Sequence, residues 1–282
     1  MKKTLIWGAT PSIQSILQEV EREYLVVGFL DNNSEKWGSV VFDKNVYSPS
    51  LISTIDFDYI VIASLSSMDS IKQQIINLGV SEDRILTKYV ENRVRARINF
   101  LRNLSIQIRD DSISGNVAEA GVFQGDFASH INKYFPDKKL YLFDTFSGFD
   151  KRDIEVEQMH KFSSVAEGHL NNTSVDMVLQ KMKYPNNVVI KKGYFPETAV
   201  GLEETFCFIS MDLDLYKPTI EGLQLLWDKL SVGGVILIHD YYSVGYLGIK
   251  QAVKEFRLSA GVTAVVFPIG DDCSIGLMKA KD

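Results

Sequence analysis

Two successive alternations of short apolar runs and amphipathic segments constrain the fold of this chain more than any other feature. The first alternation occupies about the first ninety residues, and the second runs from Asn116 to the C-terminus. Strands that alternate with helices pair in parallel, because each helix carries the chain back across one face of the sheet. We therefore predict two α/β units. A length of 282 residues agrees with two domains rather than one.

The first alternation predicts a small Rossmann-like sheet. Its strand-like runs are Thr4–Trp7, Leu25–Leu30, Tyr59–Ala63 and Arg84–Thr87. Gly8 follows the first strand and Asp31 the second, about the separation expected for an acid that binds a nucleotide ribose. The glycine pattern GATPS is incomplete, which disfavours NAD. Two interpretations remain, a nucleotide-sugar or carrier-binding module, which we prefer, and a unit used for homo-oligomer contacts.

The segment after the first alternation predicts a connecting helix at residues 91–110. Its apolar residues recur at helical spacing, at Val94, Ile98, Leu101, Leu104 and Ile108. Its basic residues predict a solvated helix face, and they are Arg93, Arg95, Arg97 and Arg102. The predicted domains are therefore 1–90 and 111–282, joined by this helix.

The second alternation predicts a parallel sheet that ends in an antiparallel hairpin. Its strand-like runs are Val117–Ala120, Leu140–Phe143, Val188–Ile190, Phe206–Met211 and Val235–His239. The predicted helices are Phe127–Tyr134, Val175–Met182, Thr219–Leu230 and Gly248–Leu258. The last two runs, Thr263–Phe267 and Ser274–Met278, lie too close together for a crossover helix, so they should pair as a hairpin. Parallel strands that end in this way resemble a class I methyltransferase.

The loop after the first strand of this second sheet predicts a cofactor site. It reads EAGVFQG, from Glu119 through Gly121 to Gly125. The glycines allow a sharp turn and the close approach of a ligand to the next helix. A dinucleotide fold would place G-x-G-x-x-G here to bind a pyrophosphate. A carboxylate before wider glycine spacing better suits S-adenosylmethionine, which carries a cationic sulfonium and an amino acid tail with a positive ammonium group.

The second strand of the same sheet ends in Asp144, a position that can accept both ribose hydroxyls of a bound nucleoside. Thr145 and Phe146 follow it and complete the predicted cofactor-binding set. A turn or a helix cap is the structural alternative for Asp144. The polar stretch Thr145–Thr173 is long enough to be functional. We interpret it as a mobile flap over the substrate.

Five motifs of this region together resemble the TylF/MycF type of macrocin O-methyltransferase. They cover residues 115 to about 256 in the family's order and are GNVAEAGVFQGDFA, LFDTFSGF, KKGYFPET, MDLDLYKPT and LSVGGVILIHDYY. The resemblance implies methylation of hydroxyls of deoxysugars and related glycosides, with S-adenosylmethionine and Mg²⁺. It does not cover residues 1–90, whose segments LIWGAT, VVGFLDNN and YIVIASLSS are similar to Rossmann-like domains beside sugar-modifying enzymes, including nucleotide-sugar acyltransferases.

Acidic residues at the ends of the fourth and fifth strands predict a metal site. Asp212 follows the fourth strand and Asp240 the fifth, and neighbouring parallel strands bring such ends together. Carboxylates at one sheet edge repel each other unless a cation neutralises them. Oxygen ligands suit Mg²⁺, which would lower the pKa of an acceptor hydroxyl. The family resemblance implies that Asp212 takes the proton, whereas Asp214 precedes a helix and is a cap or turn candidate.

His239 departs from the family, which commonly has two adjacent aspartates where this chain has His239-Asp240. Imidazole is a poorer ligand for Mg²⁺ than a carboxylate. His239 is therefore a candidate metal ligand, with Mn²⁺ as an alternative ion, a candidate general base, or a core histidine. His160 and His169 lie in the predicted flap and are candidates for substrate contact, while His130 lies on a predicted helix and is interpreted as structural.

Composition excludes several function classes. A net charge of −6 argues against a nucleic-acid-binding surface. No apolar run approaches the length that spans a bilayer, and the run in MKKTLIWGAT is too short for a signal peptide. Cys207 and Cys273 lie in apolar strand-like runs and predict buried free thiols rather than a disulfide or a metal cage. We predict a cytoplasmic protein.

The leading hypothesis is a metal-assisted O-methyltransferase acting on a sugar-like or nucleotide-sugar acceptor. A methyltransferase of catechols or other small diols is the alternative within enzymes, because the metal would act in the same way. A non-catalytic protein that binds S-adenosylmethionine is the alternative outside enzymes, and His239 is the feature that favours it. A nucleotide-dependent oxidoreductase is disfavoured by both glycine loops.

Overall fold

A computed structural model of the protein describes residues 1–65, 67–259 and 263–281. Within those residues, no helix is both long enough and apolar enough to cross a membrane.

The chain divides into two compact units, Met1–Arg95 and Ala96–Asp282. The division falls within one helix, α3, which spans Lys88–Asp110. The predicted helix at residues 91–110 is therefore confirmed, and it begins three residues earlier than the sequence indicated. Ile108 and Leu101 of α3 are buried in the core of the second unit.

The first unit is a six-stranded sheet with helices. Its elements are β1 (Lys3–Trp7), α1 (Gln14–Val20), β2 (Leu25–Leu30), β3 (Val40–Val41), β4 (Lys44–Tyr47), β5 (Tyr59–Ile62), α2 (Met68–Asn77) and β6 (Ile85–Leu86). The strand order is β3-β4-β2-β1-β5-β6, and β1, β2, β4, β5 and β6 pair in parallel. The four strands predicted from the sequence are all present, so the predicted Rossmann-like sheet is confirmed.

The hairpin of β3 and β4 was not predicted. The chain reverses at Phe42 and Asp43, which have φ angles of 48° and 60°. Turns of two residues with positive φ usually contain glycine or asparagine. Phe-Asp gives no such signal, so the sequence did not reveal the turn.

The second unit is a seven-stranded sheet. Its further elements are β7 (Asn116–Ala120), α4 (Asp126–Tyr134), β8 (Leu140–Asp144), α5 (Lys151–His160), α6 (Val175–Gln180), β9 (Val188–Lys192), β10 (Phe206–Met211), α7 (Tyr216–Leu226), β11 (Leu230–Ile238), α8 (Leu247–Ser259), β12 (Ala264–Pro268) and β13 (Ile275–Lys279). The strand order is β12-β13-β11-β10-β7-β8-β9. Strand β13 pairs antiparallel with both β11 and β12, which confirms the predicted ending of the sheet.

The central strand β10 explains why this region reads as a continuous apolar run. All six of its residues are buried, because β7 and β11 flank it and apolar clusters cover both faces of the sheet. Strands buried on both faces lack the alternation of half-exposed strands. The carboxyl ends of β11, β10, β7 and β8 therefore lie side by side at one edge.

The predicted flap at Thr145–Thr173 is not irregular throughout. It contains α5, whose N-cap Asp150 accepts a hydrogen bond from the Arg152 amide. No helix was predicted in this stretch, and its interpretation as a mobile flap over the substrate stays a prediction. The helix has few apolar residues, since Ile154 is its one buried aliphatic side chain, and apolar periodicity could not reveal it.

Candidate functional site

Acidic side chains lie at the carboxyl ends of four neighbouring strands of the second unit. Glu119 is the penultimate residue of β7, Asp144 ends β8, Asp212 follows β10 and Asp240 lies two residues after β11. Ligands of open α/β sheets bind outside the carboxyl ends of the strands. This edge is therefore the candidate site.

The glycines of the loop after β7 are required by contacts with the protein itself. A Cβ on Gly121, at φ +80°, would lie 1.9 Å from the carbonyl oxygen of Asp212. A Cβ on Gly125, at φ +78°, would lie 2.9 Å from Cγ1 of Val178. These glycines let the loop pass close to Asp212 and to α6. The close approach of a ligand, for which the glycines were singled out in the sequence, stays a prediction.

Asp144 holds the same loop in place. Its Oδ2 accepts hydrogen bonds from the amides of Val122 (2.7 Å) and Phe123 (3.0 Å), and its Oδ1 accepts one from the amide of Phe146 (2.6 Å). An ionised carboxylate offers about four acceptor positions. About one position therefore remains on Asp144 for a ligand hydroxyl.

Thr145 and Phe146 have structural roles in the turn after β8. The Thr145 hydroxyl donates to the carbonyl of Gly148 at 2.8 Å. Phe146 has φ +53°, is 7% exposed and belongs to the apolar core beneath the sheet edge. The cofactor contacts assigned to both residues from the sequence stay predictions.

Asp212, His239 and Asp240 converge at the ends of β10 and β11. His239 Nδ1 lies 3.0 Å from Oδ1 of Asp212 and 2.9 Å from Oδ2 of Asp240. The histidine is thus not a core residue that faces away from the site, which was one of its three interpretations. It joins the two carboxylates that the sequence singled out.

Arg97 was interpreted as part of a solvated helix face, and that interpretation is wrong. Its guanidinium lies 3.1 Å from Oδ2 of Asp212, donates to Oγ of Ser210 and stacks over the ring of Phe127 at 3.9 Å. Its side chain is 12% exposed. Arg97 is therefore a fixed positive charge inside the acidic cluster.

Glu119 is buried, with 2% of its surface exposed, and the positive charge of Arg97 acts on its carboxyl group. Burial raises the pKa of Glu119 well above its usual value, although the charge of Arg97 opposes this effect. Its Oε2 is buried without a hydrogen-bond partner among the residues that the structure describes. Such an oxygen is one that a bound donor would satisfy.

The charges of the cluster influence one another. Burial alone would raise the pKa of Asp212, but His239 and Arg97 outweigh it and hold that pKa below its usual value. His239 likewise lowers the pKa of Asp240 against the effect of burial. Burial and the charges of Asp240 and Asp212 raise the pKa of Asp214. The carboxylates of Asp212 and Asp240 are thus ionised at neutral pH.

Asp214 lies with the other acids rather than capping a helix. It has φ +60°, and Leu215 is the N-cap of α7, so the turn interpretation holds and the cap interpretation does not. One carboxylate oxygen each from Asp212, Asp214 and Asp240 lie within 4.8 Å of one another. Three oxygens at such spacing fit a divalent cation.

Cys273 is a residue of the site that sequence reasoning missed. It lies in the turn before β13, not within an apolar strand, and its Sγ is 3.4 Å from Oδ1 of Asp240. Cys273 is half-buried, whereas Cys207 is buried in β10, and both thiols are free. The position of Cys273 directly after Gly270-Asp271-Asp272 was the available signal.

Helix α5 is attached to the site wall through two buried acids. Asp153 accepts a hydrogen bond from the Tyr194 hydroxyl at 2.6 Å. Glu157 accepts one from the amide of Tyr216, at the start of α7, and one from the hydroxyl of Ser163. The KKGYFPET segment, whose role the sequence left open, therefore supplies Tyr194 to hold α5.

The contribution of Asp153 to stability should depend on pH. Burial raises the pKa of Asp153 from 3.8 to about 6, although Tyr194 opposes this. A raised pKa means that the folded state binds the proton more tightly than the unfolded state. The ionised form is therefore destabilising, and stability falls as pH rises from about 4 to about 6.

We expect Asp153→Asn to remove this pH dependence. Relative to the wild type, its free energy of unfolding should rise by up to about 3 kcal/mol between pH 4 and 7, measured by urea denaturation. Asp176→Asn is the matched control, because it removes the same charge from an exposed position on α6. Parallel pH profiles for Asp153→Asn and the wild type would contradict this account.

The remaining histidines make ring contacts. His130, in α4, stacks with Tyr134 at 6.2 Å, and His160 stacks on Phe162 at 5.2 Å. His169 lies beside an aromatic ring of its own segment. Substrate contacts of His160 and His169 stay predictions.

In the first unit, Asp31 is engaged by neighbouring groups. Its Oδ2 accepts from the amide of Ala9 at 2.9 Å and from Nζ of Lys36 at 2.8 Å. Its Oδ1 accepts from the amide of Asn33. Asp31 thus ties the loop after β1 to the loop after β2, and a ribose contact stays a prediction.

Comparison with known proteins gives two family matches. Residues 90–275 match the model of the family described as Macrocin-O-methyltransferase (TylF). Residues 1–86 match the model of a domain described as C2185-like, N-terminal.

Individual relatives each match part of this chain. Mycinamicin III 3''-O-methyltransferase of Micromonospora griseorubida is 26% identical over 189 residues, which cover 61% of this chain and 72% of that protein. The 8-demethyl-8-(2,3-dimethoxy-alpha-L-rhamnosyl)-tetracenomycin-C 4'-O-methyltransferase of Streptomyces olivaceus is 24% identical, covering 54% and 62%. The solved structure of the O-methyltransferase NovP superposes with a TM-score of 0.54 at 21% identity, covering 66% of this chain and 80% of NovP, and shows a shared fold.

Proposed function

The chain belongs to the macrocin O-methyltransferase (TylF) family, and we propose that it transfers a methyl group from S-adenosylmethionine to a hydroxyl of a sugar or glycoside. The observation that carries this proposal is the convergence of Asp212, His239 and Asp240 at the sheet edge where β8 also ends, in Asp144. An acceptor hydroxyl at this edge would meet an ionised carboxylate and a candidate cation site together.

The residues at the ends of β7 and β8 fit the cofactor. Asp144 retains about one acceptor position for a ribose hydroxyl, and Glu119 has a buried oxygen without a partner in the described structure. Bound S-adenosylmethionine would supply an electrophilic methyl group. Gly121 keeps the loop after β7 against Asp212, so that the cofactor edge and the acidic cluster stay adjacent.

Asp212 is the proposed general base. Asp212 is ionised. Arg97 contacts its Oδ2 and His239 contacts its Oδ1, so the orientation of the carboxylate is fixed. A carboxylate with a low pKa is a weak base for an alcohol, so the hydroxyl must itself be made more acidic. A divalent cation held by the acids would do this and would orient two neighbouring sugar oxygens. The family resemblance predicts Mg²⁺ as that cation, with Mn²⁺ as the alternative.

The acceptor class is proposed from the relatives. One relative is named for methylating the 4'-oxygen of a rhamnosyl-bearing compound, and another for methylating a 3''-oxygen. By analogy, an acceptor of this chain is a sugar hydroxyl with a neighbouring oxygen. A panel of nucleotide sugars, glycosides and catechols, assayed for S-adenosylhomocysteine release, tests the class. Turnover with catechols but with no sugar would contradict it.

Asp144→Ala should weaken S-adenosylmethionine binding by about 10- to 100-fold, because a hydrogen bond to a charged acceptor is lost and the loop after β7 is released. Isothermal titration calorimetry of the wild type and the variant measures this change. Asp126→Ala is the matched control, since Asp126 starts α4 nearby with an exposed carboxylate. Equal affinities of Asp144→Ala and the wild type would place the cofactor elsewhere.

A cytoplasmic location is part of the proposal. Both cysteines are free thiols, as expected for a reducing compartment. Self-association and a nucleotide-sugar ligand of the first unit stay predictions from the sequence.

A further inference from the structure

A thiol is fixed beside the acidic cluster by a rigid turn. Asp271 accepts hydrogen bonds from the amides of Cys273 (3.0 Å) and Ser274 (2.7 Å) and from the Ser274 hydroxyl (2.6 Å). Asp271 and Ser274 are 2% and 1% exposed. The carbonyl of Cys273 in turn accepts from the amide of Tyr242, in the loop after β11. The position of Cys273 relative to that loop is therefore set by the fold.

The thiol shares a ligand set with two residues of the cluster. Single donor atoms of His239, Asp240 and Cys273 lie within 4.8 Å of one another. His239 Nδ1 lies 2.9 Å from Oδ2 of Asp240, and the sulfur of Cys273 lies 3.4 Å from the other oxygen of Asp240, Oδ1. Ligand atoms around a tetrahedral zinc-like ion lie about 3.3–3.8 Å apart. One ion can thus be held by all three side chains after small adjustments.

The alternative set, made of Asp212, Asp214 and Asp240, carries an electrostatic disadvantage. The guanidinium of Arg97 lies 3.1 Å from Oδ2 of Asp212, and its side chain is held in place by Ser210 and Phe127. A permanent positive charge at this distance repels a divalent cation bound to Asp212. A cation bound through Asp240, which contacts His239 and Cys273, does not need the carboxylate that Arg97 already pairs.

We infer that the cation of this site is bound through Cys273 and His239 together with Asp240, and that it is a borderline transition metal of the Zn²⁺, Co²⁺ or Fe²⁺ type rather than Mg²⁺. Nitrogen and sulfur donors favour such ions, whereas Mg²⁺ requires oxygen ligands. The thiol and the His239 imidazolium each lose a proton to solvent when the metal binds, because a ligating histidine must be neutral and a ligating cysteine a thiolate. This inference rests on the proposed function, because the same ion would activate the acceptor hydroxyl.

Titration of metal-stripped, reduced protein with Co²⁺ tests the inference without any methyl transfer. One Co²⁺ per chain should bind and produce a thiolate-to-cobalt charge-transfer absorption in the near ultraviolet. Cys273→Ser should abolish this absorption and weaken Co²⁺ binding at least about tenfold. Cys207→Ala, which changes the other cysteine of the chain, is the matched control and should retain the absorption.

Three results would overturn the inference: no divalent cation binds, Co²⁺ binds without the absorption, or Asp214→Asn rather than Cys273→Ser abolishes binding. The last result would assign the ion to the three carboxylates. Calorimetry with S-adenosylmethionine is a separate readout, so a wrong metal set and a wrong proposed function would be distinguished.

Discussion

Asp212→Asn is expected to lower kcat by about 10²–10⁴-fold, the usual contribution of a positioned general base. The amide keeps the shape of the side chain but cannot take the proton of the acceptor hydroxyl. Binding of S-adenosylmethionine should change little, because Asp144 and Glu119 carry the proposed cofactor contacts. Release of S-adenosylhomocysteine under saturating cofactor, with calorimetry on the same preparations, measures both quantities.

The control for this prediction must separate chemistry from folding. Asp212 pairs with Arg97 and His239, so its replacement leaves two cations with a neutral partner. Thermal unfolding should show that the variant is folded at the assay temperature. A folded Asp212→Asn variant with wild-type kcat would contradict the role of Asp212 as the general base.

Gly121→Ala should destabilise the protein by more than about 4 kcal/mol, the range of severe single substitutions. The added Cβ would lie 1.9 Å from the Asp212 carbonyl oxygen and 2.6 Å from its carbon, and both belong to backbone that cannot rotate away. The amide of Asp212 donates a hydrogen bond to the carbonyl of Ala120. Relief of the clash would therefore disturb the pairing of β7 with β10. Urea denaturation measures the loss in free energy of unfolding. If that loss exceeds the wild-type free energy of unfolding, the expected result is a low yield of folded protein.

Gly201→Ala is the matched control for this clash. Gly201 has φ +72°, close to the +80° of Gly121, but a Cβ there would meet no atom within 4 Å of the described structure. It should therefore cost only the backbone strain of about 1–2 kcal/mol. Equal costs for the two substitutions would show that strand contact at Gly121 is unimportant.

The sheet of the second unit was predictable because its strands are buried on both faces. Short, continuously apolar runs such as FCFISM at Phe206–Met211 lack the polar face of an amphipathic helix, so they indicate strands. The last two strands are too close together in the sequence for a crossover helix, so they had to form a hairpin. The convergence of Asp212 and Asp240 was predictable from the topology, because the carboxyl ends of neighbouring parallel strands lie at one edge of the sheet.

Arg97 and Cys273 could not be placed from the sequence, for a physical reason. Arg97 meets Asp212 across 115 residues, and Cys273 meets Asp240 across 33. A charged residue on an amphipathic helix has the same sequence spacing whether its side chain faces water or a buried carboxylate. Only the contact between α3 and the end of β10 shows that Arg97 faces a carboxylate.

Helix α5 was missed because its contacts with the site wall are polar. Asp153 and Glu157 are buried acids that accept hydrogen bonds, and a sequence rule based on apolar periodicity treats both as exposed. Tyr194 and Tyr216 supply the donors from distant segments. A buried carboxylate is recognisable only with its partners.

The measurement that tests the central claim most directly is transfer of a deuterated methyl group from S-adenosylmethionine, with the label located in the product by mass spectrometry and NMR. We predict label on a hydroxyl oxygen of a sugar or nucleotide sugar with the wild-type chain, and at least about a hundredfold less with Asp212→Asn. Label on nitrogen or carbon, or cofactor consumed without any labelled acceptor, would contradict the account.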